Sequence, residues 1–176
     1  MDHRQLLPLV ERLDARGIPY ALGGSGLLRY LNLIQSVNDW DLTVECSKVE
    51  LLEAIHGFDY KEQPSGDHPF ASEYRLSLPS LNVDIIGGFA IYSGKGVVKL
   101  PIRRMSFWDG VHVSHPEVWY IAYRLMDRGT KGDMLFQYLQ SNKRLVNQDL
   151  VHELLAADHL DPFLRNELND LSLPAE

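Results

Sequence analysis

The sequence is poor in cysteine, in basic residues and in long apolar runs. Its single cysteine, Cys46, excludes an internal disulfide and a cysteine-rich zinc site. The 17 Lys and Arg residues are outnumbered by 24 Asp and Glu, and the resulting formal net charge of -7 argues against a broad contact with a nucleic-acid backbone. No apolar run approaches the roughly 20 residues needed to cross a bilayer, so no membrane partner is expected.

The N-terminal segment carries charged residues throughout and lacks the small-residue cleavage site of a signal peptide, so a cytoplasmic protein is expected. With 176 residues, of which 45% are hydrophobic and 23% charged, the chain has the size and composition of one globular domain with a sizeable core.

Hydrophobic periodicity predicts helices and strands in alternation over the first part of the chain. Residues 4–15 have helical spacing, residues 37–45 alternate as a strand does, and a capping box at Ser47 opens a helix that ends at Gly57. Further strands are predicted over 18–22, 58–63, 71–78, 82–92 and 97–104.

Helical periodicity returns beyond Pro116 and continues almost to the end of the sequence. We therefore predict an α/β core over residues 1–115 and a C-terminal helical segment over 116–171 that packs on the same domain. Residues 172–176 are predicted to be a loose tail.

Asp39 and Asp41 stand two residues apart in the predicted strand 37–45. Alternation along a strand puts both carboxylates on one face, roughly 6–7 Å apart at the backbone. Two like charges this close repel each other unless a cation neutralises them, and Mg²⁺ is typically held by one or two carboxylates plus substrate phosphates. A turn cap and a solvent-facing side chain also explain a lone Asp-x-Asp, so the pair is a candidate metal site and no more.

Two further features favour the same chemistry. Gly23-Gly24-Ser25 lies between a short predicted strand and a helix, where glycines let a phosphate approach the backbone and a serine hydroxyl can donate to it. Asp84 stands within an apolar strand, between Val83 and Ile85, and an isolated carboxylate there is costly to bury. It either faces the same metal site or lies on an edge strand that faces solvent.

This pattern resembles the polymerase-β-type nucleotidyltransferases: Gly-Gly-Ser, about a dozen residues, hydrophobic-Asp-x-Asp-hydrophobic, then a third carboxylate on a later strand. Here it reads ALGGSGLLRYLNLIQSVNDWDLTVE and later LNVDIIGG. The size is similar to that of small members such as antibiotic nucleotidyltransferases and nucleotidyltransferase toxins. The segment from His115 to Leu139 also resembles their C-terminal helices, with Arg128, Lys131 and Asp133 as an Arg…Lys-x-Asp element.

The resemblance implies a nucleotidyltransferase fold, with a mixed β-sheet flanked by helices and a C-terminal helical segment. It implies transfer of a nucleoside monophosphate, AMP by default, from ATP or another triphosphate to a hydroxyl acceptor with release of pyrophosphate. The implied catalytic residues, which would also be ligands of two Mg²⁺ ions, are Asp39, Asp41 and Asp84. The implied phosphate-binding residues are Gly23, Gly24, Ser25 and Lys131.

The sequence does not identify the acceptor. The acidic surface favours a small molecule over a protein or RNA. Members of the superfamily often pair through their helical region, so a homodimer is an option that the resemblance leaves open.

Two alternatives remain for the activity. A non-catalytic nucleotide-binding or regulatory relative of the same fold would keep the same residues. Asp39 to Val44 also fits the Asp-x-Asp-x-Thr signature of haloacid-dehalogenase-like phosphatases, in which the first aspartate is the nucleophile. Residues 33–38 match poorly the apolar strand that precedes that signature, and no Asp-Asp occurs to supply its late acidic pair.

Overall fold

A computed structural model describes residues 1–173 of the chain, and the last three residues of the predicted tail 172–176 lie outside the described residues. Nine strands occur within this described part: β1 (Tyr20–Gly23), β2 (Trp40–Val44), β3 (Lys61–Gln63), β4 (Tyr74–Leu78), β5 (Val83–Gly87), β6 (Ala90–Tyr92), β7 (Val97–Lys99), β8 (Arg104–Trp108) and β9 (Val111–Ser114). Seven of them form a mixed sheet in the order β3-β4-β5-β2-β1-β9-β8, and β6 and β7 form a separate hairpin. At its centre β2 runs parallel to β5 and antiparallel to β1.

Helices flank this sheet, as the sequence predicted. They are α1 (Leu7–Ala15), α2 (Gly24–Tyr30), α3 (Lys48–Ala54), α4 (Pro116–Leu125), α5 (Gly129–Ser141), α6 (Gln148–Leu155) and α7 (Pro162–Leu171). Short 3₁₀ helices lie at His3–Leu6, Pro79–Leu81 and Lys143–Leu145. None of the described helices is both long and apolar enough to cross a membrane.

Two apolar cores lie on opposite faces of the sheet. Trp40 and Leu42 of β2 belong to the core beneath α1 and α3, together with Val83 and Ile85 of β5. Ile86 belongs to the other core, which α4 to α7 cover. Because successive side chains of a strand point to opposite faces, Asp41 and Asp84 leave the sheet on the side of the C-terminal helices.

The predicted strands differ from those of the structure in their extent. The strand predicted over 37–45 begins at Trp40, so the expectation that Asp39 lies within it is wrong and this residue immediately precedes β2. The strand predicted over 82–92 is broken at Gly88, whose φ of 59° allows the chain to turn from β5 into β6. The strand predicted over 97–104 ends at Lys99.

The hairpin of β8 and β9 was not predicted. A two-residue turn closes the hairpin at Asp109 and Gly110, which have φ values of 43° and 98°. Asp-Gly is a strong signal for such a turn because both of its central residues require positive φ. The signal was therefore present in the sequence.

Gly23 at the end of β1 packs directly against Trp119 of α4. A Cβ at this position would lie 1.9 Å from the ring of Trp119, which is buried in the C-terminal core. We expect Gly23→Ala to lower the free energy of unfolding by about 1–3 kcal/mol because of this crowding. Urea unfolding would measure the loss, with Gly129→Ala as the control, since a Cβ there would meet no atom within 4 Å. Equal stability of Gly23→Ala and the wild type would contradict this packing.

Candidate active site

Three aspartates line one cavity at the beginning of the two central parallel strands. Asp41 of β2 is the direct register partner of Asp84 of β5, and adjacent strands lie about 4.8 Å apart. Asp39, immediately before β2, lines the same cavity of about 100 Å³. Because β5 pairs with β4 on one side and β2 on the other, the alternative that Asp84 lies on an edge strand is wrong.

The surroundings of Asp41 raise the pKa of its carboxyl group. Burial, reinforced by the charges of Asp39 and Asp84, raises the pKa of Asp41 to about 7, while Lys131 and Arg128 act in the opposite direction. Carboxylates that share a site in this way destabilise one another unless a proton or a cation is present. The protein therefore carries an electrostatic penalty that a bound cation would remove.

Asp84 is held by a side chain from β3. The amide Nε2 of Gln63 donates to Asp84 Oδ1 over 3.0 Å. Sequence reasoning missed Gln63, and nothing in its neighbourhood marks it, because its position follows from the pairing of β3 with β4 and of β4 with β5.

Gly24 makes room for the carboxylate of Asp41. Its φ is 52°, and a Cβ there would lie 1.8 Å from Asp41 Oδ2. Gly23 instead packs against Trp119, and neither glycine is among the residues that line the cavity. The structure thus gives both glycines a packing role, and their predicted role in phosphate binding stays a prediction.

Ser25 and Lys131 meet across the cavity from α2 and α5. The ammonium group of Lys131 donates to Ser25 Oγ over 3.1 Å and lies 5.4 Å from the ring centre of Tyr123. The structure therefore brings together the two side chains predicted to bind phosphate. Asp133, two residues further along α5, instead forms an ion pair of 2.7 Å with Arg124 and does not line the cavity.

The remaining cavity wall is basic and aromatic. Arg75 and Arg128 supply positive charge, and the guanidinium of Arg75 lies 3.9 Å from the ring centre of Phe70. Arg75 was not among the residues predicted from the sequence. The other lining residues are Ser72, Ile86, Phe89, Trp119, Tyr123 and Met126.

The donor set of the cavity fits a hard cation. Its acidic wall offers carboxylate oxygens, and no histidine or cysteine lines it. Within residues 1–173, however, no three or more His, Cys, Asp and Glu side chains are arranged to hold a metal ion as they stand. A single ion held by all three aspartates would therefore require their carboxylates to move from these positions.

No protein-family model and no curated protein matches the chain. A comparison with solved structures finds the crystal structure of ANT(2″)-Ia in complex with adenylyl-2″-tobramycin, with a TM-score of 0.52 and 11% sequence identity. The match covers 92% of this chain and 93% of that chain. ANT(2″)-Ia is an aminoglycoside nucleotidyltransferase. The likeness shows that the chain has a nucleotidyltransferase fold, which confirms the fold class predicted from the sequence.

The raised pKa predicts how pH affects the metal-free protein. Asp41 titrates near pH 3.8 when unfolded and near 7 when folded, so its ionisation takes stability away as the pH rises from about 4 to 7. We expect Asp41→Asn to stabilise the protein at pH 8 by roughly 1–3 kcal/mol, since one pKa unit corresponds to about 1.4 kcal/mol. The stabilisation should be smaller at pH 4, where the carboxyl group of the wild type is protonated in the folded protein.

Urea unfolding in the presence of EDTA at both pH values would measure this difference. Glu11→Gln is the control because Glu11 is an exposed residue of α1, a helix whose apolar side chains pack in the core on the opposite face of the sheet from the cavity. A wild-type protein as stable as Asp41→Asn at pH 8 would show that Asp41 carries no electrostatic penalty.

Proposed function

We propose that the chain is a metal-dependent nucleotidyltransferase, which moves a nucleoside monophosphate, AMP by default, from a triphosphate to a hydroxyl acceptor and releases pyrophosphate. The observation that carries the proposal is the direct register of Asp41 with Asp84, with Asp39 on the same cavity. The nucleotidyltransferase fold supports this proposal. The fold gives no corresponding support to the alternative of a haloacid-dehalogenase-like phosphatase.

The three aspartates are the proposed ligands of Mg²⁺, with two ions as in the superfamily that the sequence resembles. The metal would neutralise phosphate charge and lower the pKa of the attacking hydroxyl. Gln63 occupies Asp84 Oδ1, which leaves Oδ2 to orient the acceptor hydroxyl and accept its proton. A carboxylate bound to metal is a weak base, so orientation is the larger part of this role.

The basic wall is the proposed site of the triphosphate. Lys131 and Arg128 lie near enough to Asp41 to oppose the rise of its pKa, so their charges act on the same space. In the complex they would stabilise the negative charge that develops on the leaving pyrophosphate. Ser25, whose hydroxyl now accepts from Lys131, would donate to a phosphate oxygen instead. Gly23 and Gly24 are also proposed to contact the phosphates, through their backbone atoms.

The cavity is smaller than a whole nucleotide. It has a volume of about 100 Å³, whereas sites for drug-sized ligands usually have about 300–1,000 Å³. We therefore place the phosphates and metal inside and the nucleoside at the rim, where movement of Phe70 and Arg75 would widen the opening. We propose a small-molecule acceptor rather than a protein or RNA, because the net charge is -7.

Asp39→Asn, Asp41→Asn and Asp84→Asn should each lower the rate of pyrophosphate release by more than about 100-fold, because even residues that only support metal ligands contribute about 10- to 100-fold. A coupled pyrophosphate assay would measure this across nucleotides and acceptors, with EDTA as a metal-free blank. Asp133→Asn is the matched control, since Asp133 does not line the cavity. Full turnover by the Asp39 and Asp41 variants would end the proposal, and nucleotide binding without release on any acceptor would favour the non-catalytic alternative.

Lys131→Gln should weaken binding of the magnesium–ATP complex by about ten-fold, which corresponds to about 1.4 kcal/mol, through loss of one charge beside the phosphates. Calorimetric titration would measure this, with Lys61→Gln as the control because Lys61 is exposed on β3. Unchanged affinity of Lys131→Gln would remove Lys131 from the phosphate site.

A further inference from the structure

A second cavity lies between α2, β8, α4 and the end of α5. It has a volume of about 430 Å³, and none of its lining residues also lines the aspartate cavity. Most of its wall is apolar, formed by side chains that include Leu31, Met105, Pro116, Leu139, Leu145 and Val146. Its size and apolar wall are those of a site for a small organic molecule.

A buried carboxylate forms part of this wall. Glu117 is 1% exposed, and its Oε1 accepts a hydrogen bond of 2.8 Å from the backbone N–H of Asn147. Its Oε2 is buried without a hydrogen-bond partner, and Nδ1 of His115 lies 3.4 Å away. A buried carboxylate oxygen without a donor is costly, so its presence calls for an explanation.

The local structure accounts for only part of this arrangement. Glu117 lies in the first turn of α4, where a negative charge interacts favourably with the helix dipole. An exposed acidic side chain at this position would stabilise the helix in the same way, so the dipole does not explain the burial. The contact with Asn147 uses one of the two oxygens. The second oxygen, next to an apolar cavity, accepts no hydrogen bond from the chain, and Nδ1 of His115 forms an ion pair with it only when the imidazole is protonated. It is therefore available to a donor from outside the chain.

We propose that this cavity binds a small organic cation, whose positively charged nitrogen donates to Glu117 Oε2 and whose apolar body lies against the surrounding side chains. Charge-assisted hydrogen bonds to a carboxylate are among the stronger ones, and the cavity supplies the low-dielectric surroundings that strengthen them. Ser106 and Asn142 add polar groups that would orient the ligand. The Oγ of Ser106 accepts a hydrogen bond of 2.7 Å from the hydroxyl of Tyr30. The net charge of -7 attracts cations to the protein as a whole.

Tryptamine is a suitable probe because it joins a primary ammonium group to a flat apolar body. In two-dimensional amide NMR of the whole chain, we expect tryptamine to shift saturably the signals of residues around Glu117, with a dissociation constant of about 1 mM or tighter. Indole-3-propionate, which has a carboxylate in place of the ammonium group, should not bind there.

The deciding variant is Glu117→Gln, which keeps an acceptor for Asn147 and removes the charge. It should weaken tryptamine binding by at least about ten-fold, while Glu45→Gln, an exposed acid beside a different cavity, should not. Should Glu117→Gln fail to fold, Leu145→Lys gives a second test. Leu145 is 74% exposed at the edge of the cavity, so the change is tolerated and its charge should weaken the binding of tryptamine by at least about three-fold.

This proposal is independent of the transferase proposal, and Asp41→Asn should bind tryptamine as the wild type does. No saturable shift with tryptamine up to 5 mM, shifts that map to another surface, or unchanged binding by Glu117→Gln would each overturn it. Equal binding of indole-3-propionate would overturn it as well, because the cavity would then recognise the indole and not the charge.

Discussion

The mutual repulsion of three carboxylates is the constraint on which the candidate active site depends. Asp41 and Asp84 face each other across two parallel strands, and their alternation with Trp40, Leu42 and Ile85 anchors both strands in the opposite core. The apolar side chains therefore fix the positions of the charges. Burial of those apolar groups provides the free energy that offsets the electrostatic cost in the metal-free protein.

The C-terminal helices complete the site from the other side of the cavity. Helix α5 brings Lys131 to Ser25 of α2, and α4 contributes Trp119 and Tyr123 to the wall. The cavity thus combines three aspartates with basic side chains from both parts of the chain, which suits a metal ion bound together with a phosphate chain. Both parts of the chain contribute to the site, because the α/β core supplies the three aspartates and the C-terminal segment supplies Arg128 and Lys131.

Most of the fold and of the candidate site could be predicted from short-range patterns in the sequence. The two-residue alternation of strands separated Asp41 from the apolar side chains of its strand, whereas Asp84 was left with two alternatives until the pairing of β5 was seen. The Gly-Gly-Ser and Asp-x-Asp motifs indicated the fold class. The resemblance also directed attention to Lys131, whose contact with Ser25 joins residues 106 positions apart.

The site residues that were not predicted depend on how distant segments of the chain pair. Gln63 reaches Asp84 only because β3, β4 and β5 are neighbours in the sheet, and Arg75 reaches the cavity from the middle strand of those three. No local pattern encodes that register. The burial of Glu117 was equally hidden, since it follows from the packing of the loop around Asn147 against the start of α4.

The close approach of Gly24 to Asp41 also limits how this protein can vary. Because the space that a side chain at position 24 would need is filled by Asp41 Oδ2, these two positions behave as one unit. Any residue larger than glycine at position 24 must push that carboxylate out of line with Asp84. The side chains that can be tolerated at position 24, the first residue of α2, are therefore limited by an aspartate 17 residues further along the chain.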